Sequence, residues 1–326
     1  MEKIIAEKHM RLDSFLTSHL NIARNQVENF IKVTGVKVNG KLVKKCGYKL
    51  KNGDTVLFEI KNETKEQDSE YEVDFDIDVL YEDDSLLILN KPPFITVHPA
   101  PSVKEATLVD WLNKKGYSLS NLSGEHRSGI VHRIDKETSG ALVVAKTNTA
   151  HSFLSDQLQD KSMGRYYLAI ISPPLKEDLT IESFIQRNPK NRLKMKSGTN
   201  GKYAKTKFIK LLTSTDQKYE LIAAKLYTGR THQIRAHLES ISRSIIGDTT
   251  YGFKSKKDKI IRVMLHAYII YFTHPKIGKK LFFKAPIFSD MQNILEKHFN
   301  REELDEKISP KYILDRFGSN DFERMQ

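Results

Sequence analysis

Near the start of the chain, apolar residues recur every three or four positions. Leu12, Phe15, Leu16 and Leu20 share one helical face. Val27, Phe30 and Ile31 mark the inner face of a second helix over residues 23–33. The period then shortens to two: Val36 and Val38 flank Lys37, Asn39-Gly40 turns the chain, and Leu42-Val43 resumes. A second turn at Asn52-Gly53-Asp54 leads into Thr55–Ile60. Two helices and a small hairpin sheet therefore fill residues 10–60. Residues 61–73 carry no large aliphatic side chain before Val73 and predict a linker.

From Phe75 onward the pattern is mostly that of strands. Ile77–Tyr81 and Leu86–Asn90 flank Glu82-Asp-Asp-Ser85 as a hairpin, which Lys91-Pro-Pro93 ends because proline cannot donate to a ladder. Thr107–Lys115 suits a short helix anchored by Trp111, and Ala150–Gln159 a longer one with Phe153, Leu154 and Leu158 inward. Arg165–Ile171 is a strong strand closed by Pro173-Pro174. Lys190–Lys207 is basic and polar and predicts an exposed loop or hairpin, a candidate contact for a polyanion. Strands follow at Lys205–Leu212 and Tyr219–Leu226, then a helix capped by Thr231 with Ile234 and Leu238 on one face. Val263–Thr273 and Lys280–Lys284 form strands about His274-Pro275, and Ser289–Phe299 a helix. Residues 301–326 are polar and predict a loosely attached tail. The fold class is α+β: a mixed, mainly antiparallel sheet domain over residues 74–300, behind a small α+β module.

Charge sharpens this outline. Across 326 residues, 53 Lys and Arg outnumber 41 Asp and Glu, a net charge of +12 that points to a polyanionic partner. The small module is studded with Arg24, Lys32, Lys37, Lys41, Lys44 and Lys45. Its Cys46 is the only cysteine, so no disulfide framework exists and a reducing, cytoplasmic setting is expected. Met1–Arg11 has no apolar stretch of signal-peptide length. Nor does any run approach the about 18 apolar residues of a membrane span.

The chemistry concentrates at Gly129-Ile-Val-His-Arg-Ile-Asp-Lys-Glu-Thr-Ser-Gly140. A polar knot between apolar runs predicts a loop at the end of core strands, where functional groups tend to sit. A carboxylate such as Asp135, held ionised and oriented by a guanidinium, suits a nucleophile or base. Arg133 points the same way if the loop is extended. The residues alone leave a structural ion pair as the other reading of Asp135. Arg11-Leu-Asp13 imitates Arg133-Ile-Asp135, but it opens an amphipathic helix, so Asp13 is assigned to capping. The histidines are scattered without metal-ligand spacing, and no glycine-rich phosphate loop occurs. Neither metal nor nucleotide cofactor is expected.

His132-Arg-Ile-Asp-Lys-Glu-Thr-Ser-Gly140 resembles the H-R-L-D-x-x-T-S-G signature of the RluA/RluD-type pseudouridine synthases. Residues 11–60, with Val36-Lys-Val-Asn-Gly-Lys41, resemble an S4-type RNA-binding domain. The resemblance implies a pseudouridine synthase fold and isomerisation of uridine without a cofactor. It implies that Asp135 is catalytic and is paired by Arg235, the last residue of Gly229-Arg-Thr-His-Gln-Ile-Arg235. Tyr167, ahead of Leu168-Ala169, takes the place of the tyrosine that stacks on the uracil; Tyr166 is the neighbouring alternative, facing the other way. The resemblance further implies that Arg133 helps displace the base and Leu265 packs beside it, and Arg230 and His232 are expected to support the site or touch phosphate. Lys91, His98 and His132 are expected along the cleft. Departures are mild: Ile134 stands for leucine, and Gly164-Arg-Tyr166 for the commoner Lys-x-Tyr lead-in. The expected partner of this monomer is structured RNA, large-subunit ribosomal RNA ahead of transfer RNA. An RNA-binding assembly factor without turnover conflicts with the intact Asp135, Tyr167 and Arg235 set. A metal-dependent nuclease conflicts with the missing ligand spacing.

Overall fold

A helical stripe and a short alternating sheet can bury each other only by packing face to face. The computed structural model, which describes residues 2–20, 24–58, 71–253 and 260–318, does this in its N-terminal module. The elements are β1 (Glu2–Ile5), β2 (Met10–Arg11), α1 (Leu12–Leu20), α2 (Arg24–Val33), β3 (Val36–Val38), β4 (Lys41–Val43), β5 (Lys49–Leu50) and β6 (Thr55–Phe58). Leu12, Leu16, Val27 and Ile31 meet Val36, Val38, Val56 and Phe58 in a core of their own. Strand β1 was not expected, because Glu2-Lys3-Ile4-Ile5 is too short to show a period. It pairs antiparallel with β6, setting Ile4 opposite Val56. Lys32, Lys37, Lys41, Lys44 and Lys45 are exposed. Asp13 is buried in the first turn of α1, accepting from the Ser14 N–H at 2.8 Å and from Arg11 Nη2 at 2.7 Å. The Arg24 side chain, Ile60, most of the expected linker (61–70) and the end of the expected tail (319–326) lie outside the described residues.

The large sheet follows from unbroken apolar strands, which need cover on both faces. Its elements open with β7 (Asp78–Glu82), β8 (Leu86–Lys91), α3 (Leu108–Lys114), β9 (Ser139–Ala145), α4 (Asn148–Asp160), β10 (Gly164–Ser172) and β11 (Leu179–Arg187). They continue with β12 (Met195–Gly198), β13 (Lys202–Thr213), β14 (Glu220–Leu226), α5 (Gln233–Ser240), β15 (Ser244–Ile245), β16 (Leu265–Thr273) and β17 (Lys280–Lys284). The strand order is β12-β11-β13-β14-β10-β16-β9-β8-β7, with β15 beside β10 and β17 beside β16. All these pairings are antiparallel except β9 with β16. Successive residues of β8 and β9 sort into two cores. Leu87, Leu89, Leu142 and Val144 enter the larger one; Leu86, Ile88, Ala141 and Val143 enter the smaller. Gly140 lets the parallel pair close: its φ is +112°, and a Cβ there would stand 2.2 Å from the Ala267 oxygen.

Several expectations shift. In α4, Leu154 is buried and Leu158 half-buried, but Phe153 faces outward and is 40% exposed. The basic stretch 190–207 holds β12 and the start of β13, and β11 before it was not foreseen. The expected loose tail is instead α7 (Arg301–Lys307) and α8 (Pro310–Arg316), which follow α6 (Ser289–His298). Leu304, Ile313, Leu314 and Phe317 are buried in the larger core, so this mostly polar stretch is fixed by a few well-placed apolar residues. Among the described residues no helix is long and apolar enough to cross a membrane.

Candidate active site

The polar knot forms a loop between Ile130 and Thr138, and the surrounding fold clamps it. Ile130 and Ile134 sink into the larger core. The Thr138 N–H donates to the Asp135 carbonyl at 3.1 Å, closing a turn. From one side, buried Lys91 donates through Nζ to the carbonyls of Pro92, Ile95 and Lys136 at 2.7, 2.9 and 3.1 Å. Burial pulls its pKa down to about 7, yet three acceptors require all three ammonium protons. From the other side, buried Arg262 donates to the Glu137 carbonyl at 3.4 Å and pairs with Asp290.

The loop faces a pocket that is open to solvent. Arg133, Asp135, Tyr167, Leu265, Arg230, His232 and Arg235 all line it. Arg235 Nη1 lies 3.4 Å from Asp135 Oδ2, and His232 Nε2 lies 3.8 Å from the same oxygen. Tyr167 is buried at the pocket, whereas Tyr166 packs on the opposite face against Phe317, 5.1 Å between centroids. Burial pushes the Tyr167 hydroxyl above its ordinary range. Burial likewise lowers the His232 pKa against the pull of Asp135, leaving a neutral imidazole. Arg133 is exposed, with Nη1 3.4 Å from His98 Nε2, and Arg230 Nε donates to the Tyr203 carbonyl at 2.9 Å.

Three expected cleft residues lie elsewhere. Lys91 is enclosed by its carbonyls, and His98 stands behind Arg133. His132 is buried on the far side of the loop, where its Nε2 accepts from the Val143 N–H at 3.2 Å. Alternation along an extended loop turns it away from Arg133 and Asp135. Thr231 is not the cap of α5 either; His232 holds that place with φ 54° and makes no side-chain cap bond. Gln233 fastens the loop instead. Its Nε2 donates to the Lys205 carbonyl at 3.0 Å, and its Oε1 accepts from the Arg230 N–H at 3.0 Å.

The residues missed from sequence stand behind Arg235. Asp248, 1% exposed, takes Arg235 Nε and Nη2 at 2.7 and 2.8 Å. Burial works against the guanidinium charge, but this paired carboxylate more than offsets it and holds the pKa above the usual range. The Tyr251 ring lies 4.8 Å from the guanidinium carbon, and its hydroxyl lies 3.1 Å from His232 Nδ1. In the sequence, Gly247-Asp248 and Tyr251-Gly252 mark only a loop here.

Burial also makes the fold acid-sensitive. His132 is held to about 3, and His237 and His266 to about 4, against an ordinary 6.5. Their imidazoles stay neutral in the fold while the unfolded chain takes protons, so stability falls as pH drops from about 6.5 toward 4. Urea unfolding at pH 5 rather than 7.5 should show a loss of up to about 2 kcal/mol per histidine. Equal stability at the two values would contradict neutral buried imidazoles.

The chain and its fold match known proteins. A family model described as RNA pseudouridylate synthase matches residues 85–240, and one for the S4 domain matches 10–56. A Helicobacter pylori chain named as an RNA pseudouridine synthase is 50% identical over 95% of this chain and 96% of its own. The chain belongs to the RNA pseudouridine synthases, isomerases of uridine, and carries an S4 domain in front. A Nitrosomonas europaea relative named ribosomal large subunit pseudouridine synthase D is 35% identical, over 88% of this chain and 84% of that one. A namesake from Zymomonas mobilis is 36% identical, over 86% and 92%. The structure of human RNA pseudouridylate synthase domain containing 1 shares the fold. Its TM-score is 0.54 at 24% identity, over 65% of this chain and 84% of that one.

Proposed function

We propose that the pocket receives a uridine turned out of large-subunit ribosomal RNA and that Asp135 acts on it. The observation that carries this reading is the Asp135 carboxylate, 22% exposed and 3.4 Å from Arg235 Nη1, facing a pocket lined by Tyr167 and Leu265. A buried tyrosine offers a face on which a base stacks, and the leucine an apolar wall beside it. Extruding a base costs a few kcal/mol. Exposed Arg133 at the mouth can fill the gap left in the stack. Arg230 and His232 complete the rim, and Arg235 orients Asp135.

The division of labour we propose places an RNA-gripping module up to about residue 60 and the catalytic unit from about residue 74. The module's exposed lysines suit a phosphate backbone. The ribosomal assignment draws on relatives named for the large subunit and on the module. It has the protein working as a monomer in the cytoplasm. Pseudouridines mapped in cells with and without the protein test it. Sites in large-subunit ribosomal RNA should disappear with the protein, and losses confined to transfer RNA would overturn the assignment.

A further inference from the structure

Arg165 is a pocket cation with no counter-charge. It lies on β10 two residues before Tyr167, is 8% exposed and lines the same pocket. Among the described residues it makes no hydrogen bond or ion pair, and its Nε is enclosed without a partner. Its Nη1 lies 3.0 Å from the position a Cβ would take on exposed Gly229, so the guanidinium sits just beneath the loop that rims the pocket. The other pocket guanidiniums differ. Arg235 is occupied by Asp248 and Asp135, Arg230 by the Tyr203 carbonyl, and Arg133 is exposed.

Folding leaves a buried charge unpaired only at a cost, and such groups persist where something outside the chain completes them. We propose that Arg165 binds a ring carbonyl oxygen of the uracil and holds the negative charge that the ring acquires during isomerisation. The proposal rests on the reading of this pocket as the uridine site. When the bond from N1 to C1′ breaks, its electron pair stays on the base and spreads over N1, O2 and O4. The ring turns, C5 supplies the pair that bonds C1′, the C5 hydrogen leaves as a proton, and N1 takes up a proton. Nothing is oxidised or reduced. A guanidinium with no competing partner gains most at the moment the oxygens become anionic, so its binding favours the transition state over bound uridine. The base is also the part of the substrate that can reach so enclosed a group; phosphates stay at the mouth with the RNA chain.

The test uses the full chain and total RNA from cells lacking the protein, labelled with tritium at uridine C5. Arg165→Gln should slow single-turnover tritium release by about 100-fold or more, the usual effect of losing one such donor. Arg165→Lys should recover part of that loss, and RNA affinity should stay within about threefold in both. Arg165→Gln should melt no lower than the parent, because it removes an unpaired charge. Release within about fivefold of the parent would overturn the proposal, and so would a lower melting temperature in both variants, which makes the arginine structural. Asp135→Asn runs alongside. If it turns over normally, the reading of the pocket is itself wrong; if it is dead while Arg165→Gln is active, only the role of Arg165 falls.

Discussion

Asp135→Asn should abolish pseudouridine formation, by about 1,000-fold or more, and leave RNA affinity within a few-fold. The change keeps the side chain's size and removes only its charge and basicity. Arg235 does not depend on that charge, because Asp248 already holds two of its nitrogens at 2.7 and 2.8 Å. The Asp135 carboxylate meets Arg235 at 3.4 Å and neutral His232 at 3.8 Å, both long, and is 22% exposed, so stability should move by less than about 1 kcal/mol. Tritium release from uridine C5, RNA binding and urea unfolding on one preparation separate these effects. A variant that turns over within tenfold of the parent shows that the carboxylate does no chemistry.

Asp248→Ala should be the more damaging change to the fold. It leaves the Arg235 guanidinium buried with only the distant Asp135 opposite, and it removes one of the two acceptors of the Tyr251 N–H, the side-chain oxygen at 3.0 Å. Breaking a buried, doubly bonded ion pair costs about 3–5 kcal/mol, readable as a lower urea midpoint. In the molecules that remain folded, Arg235 loses the anchor that fixes its direction, and turnover should fall by more than about tenfold. A stability loss below about 1 kcal/mol would show that Asp248 does not hold Arg235.

Much of the sheet was legible because its strands are extreme. Ala141–Ala145 is apolar at every position, and only a strand covered on both faces accounts for that. The pocket side of the knot was legible too, since alternation from Arg133 to Asp135 puts both on one side. What escaped depends on distant partners. Asp248 carries no local sign that it will pair with Arg235. His132 sits inside the motif, yet the backbone N–H of Val143 claims it. Strand β11 has alternately half-buried and exposed residues such as Ile181 and Glu182, and its mixed composition hides the period. The last two helices look polar because one apolar residue in the first and a few in the second suffice to fix them.

The central place of β16 bears on how the enzyme is made. It lies between β10 and β9, though it is among the last strands synthesised. A nascent polypeptide that stops short of Leu265 lacks the strand that hydrogen-bonds the two half-sheets to each other, one bearing Asp135 near its edge and the other bearing Tyr167. The late segment zips both halves together by long-range pairing, a slow step in folding. Premature termination therefore yields fragments that lack a working site, and only the finished polypeptide brings the two halves of that site together.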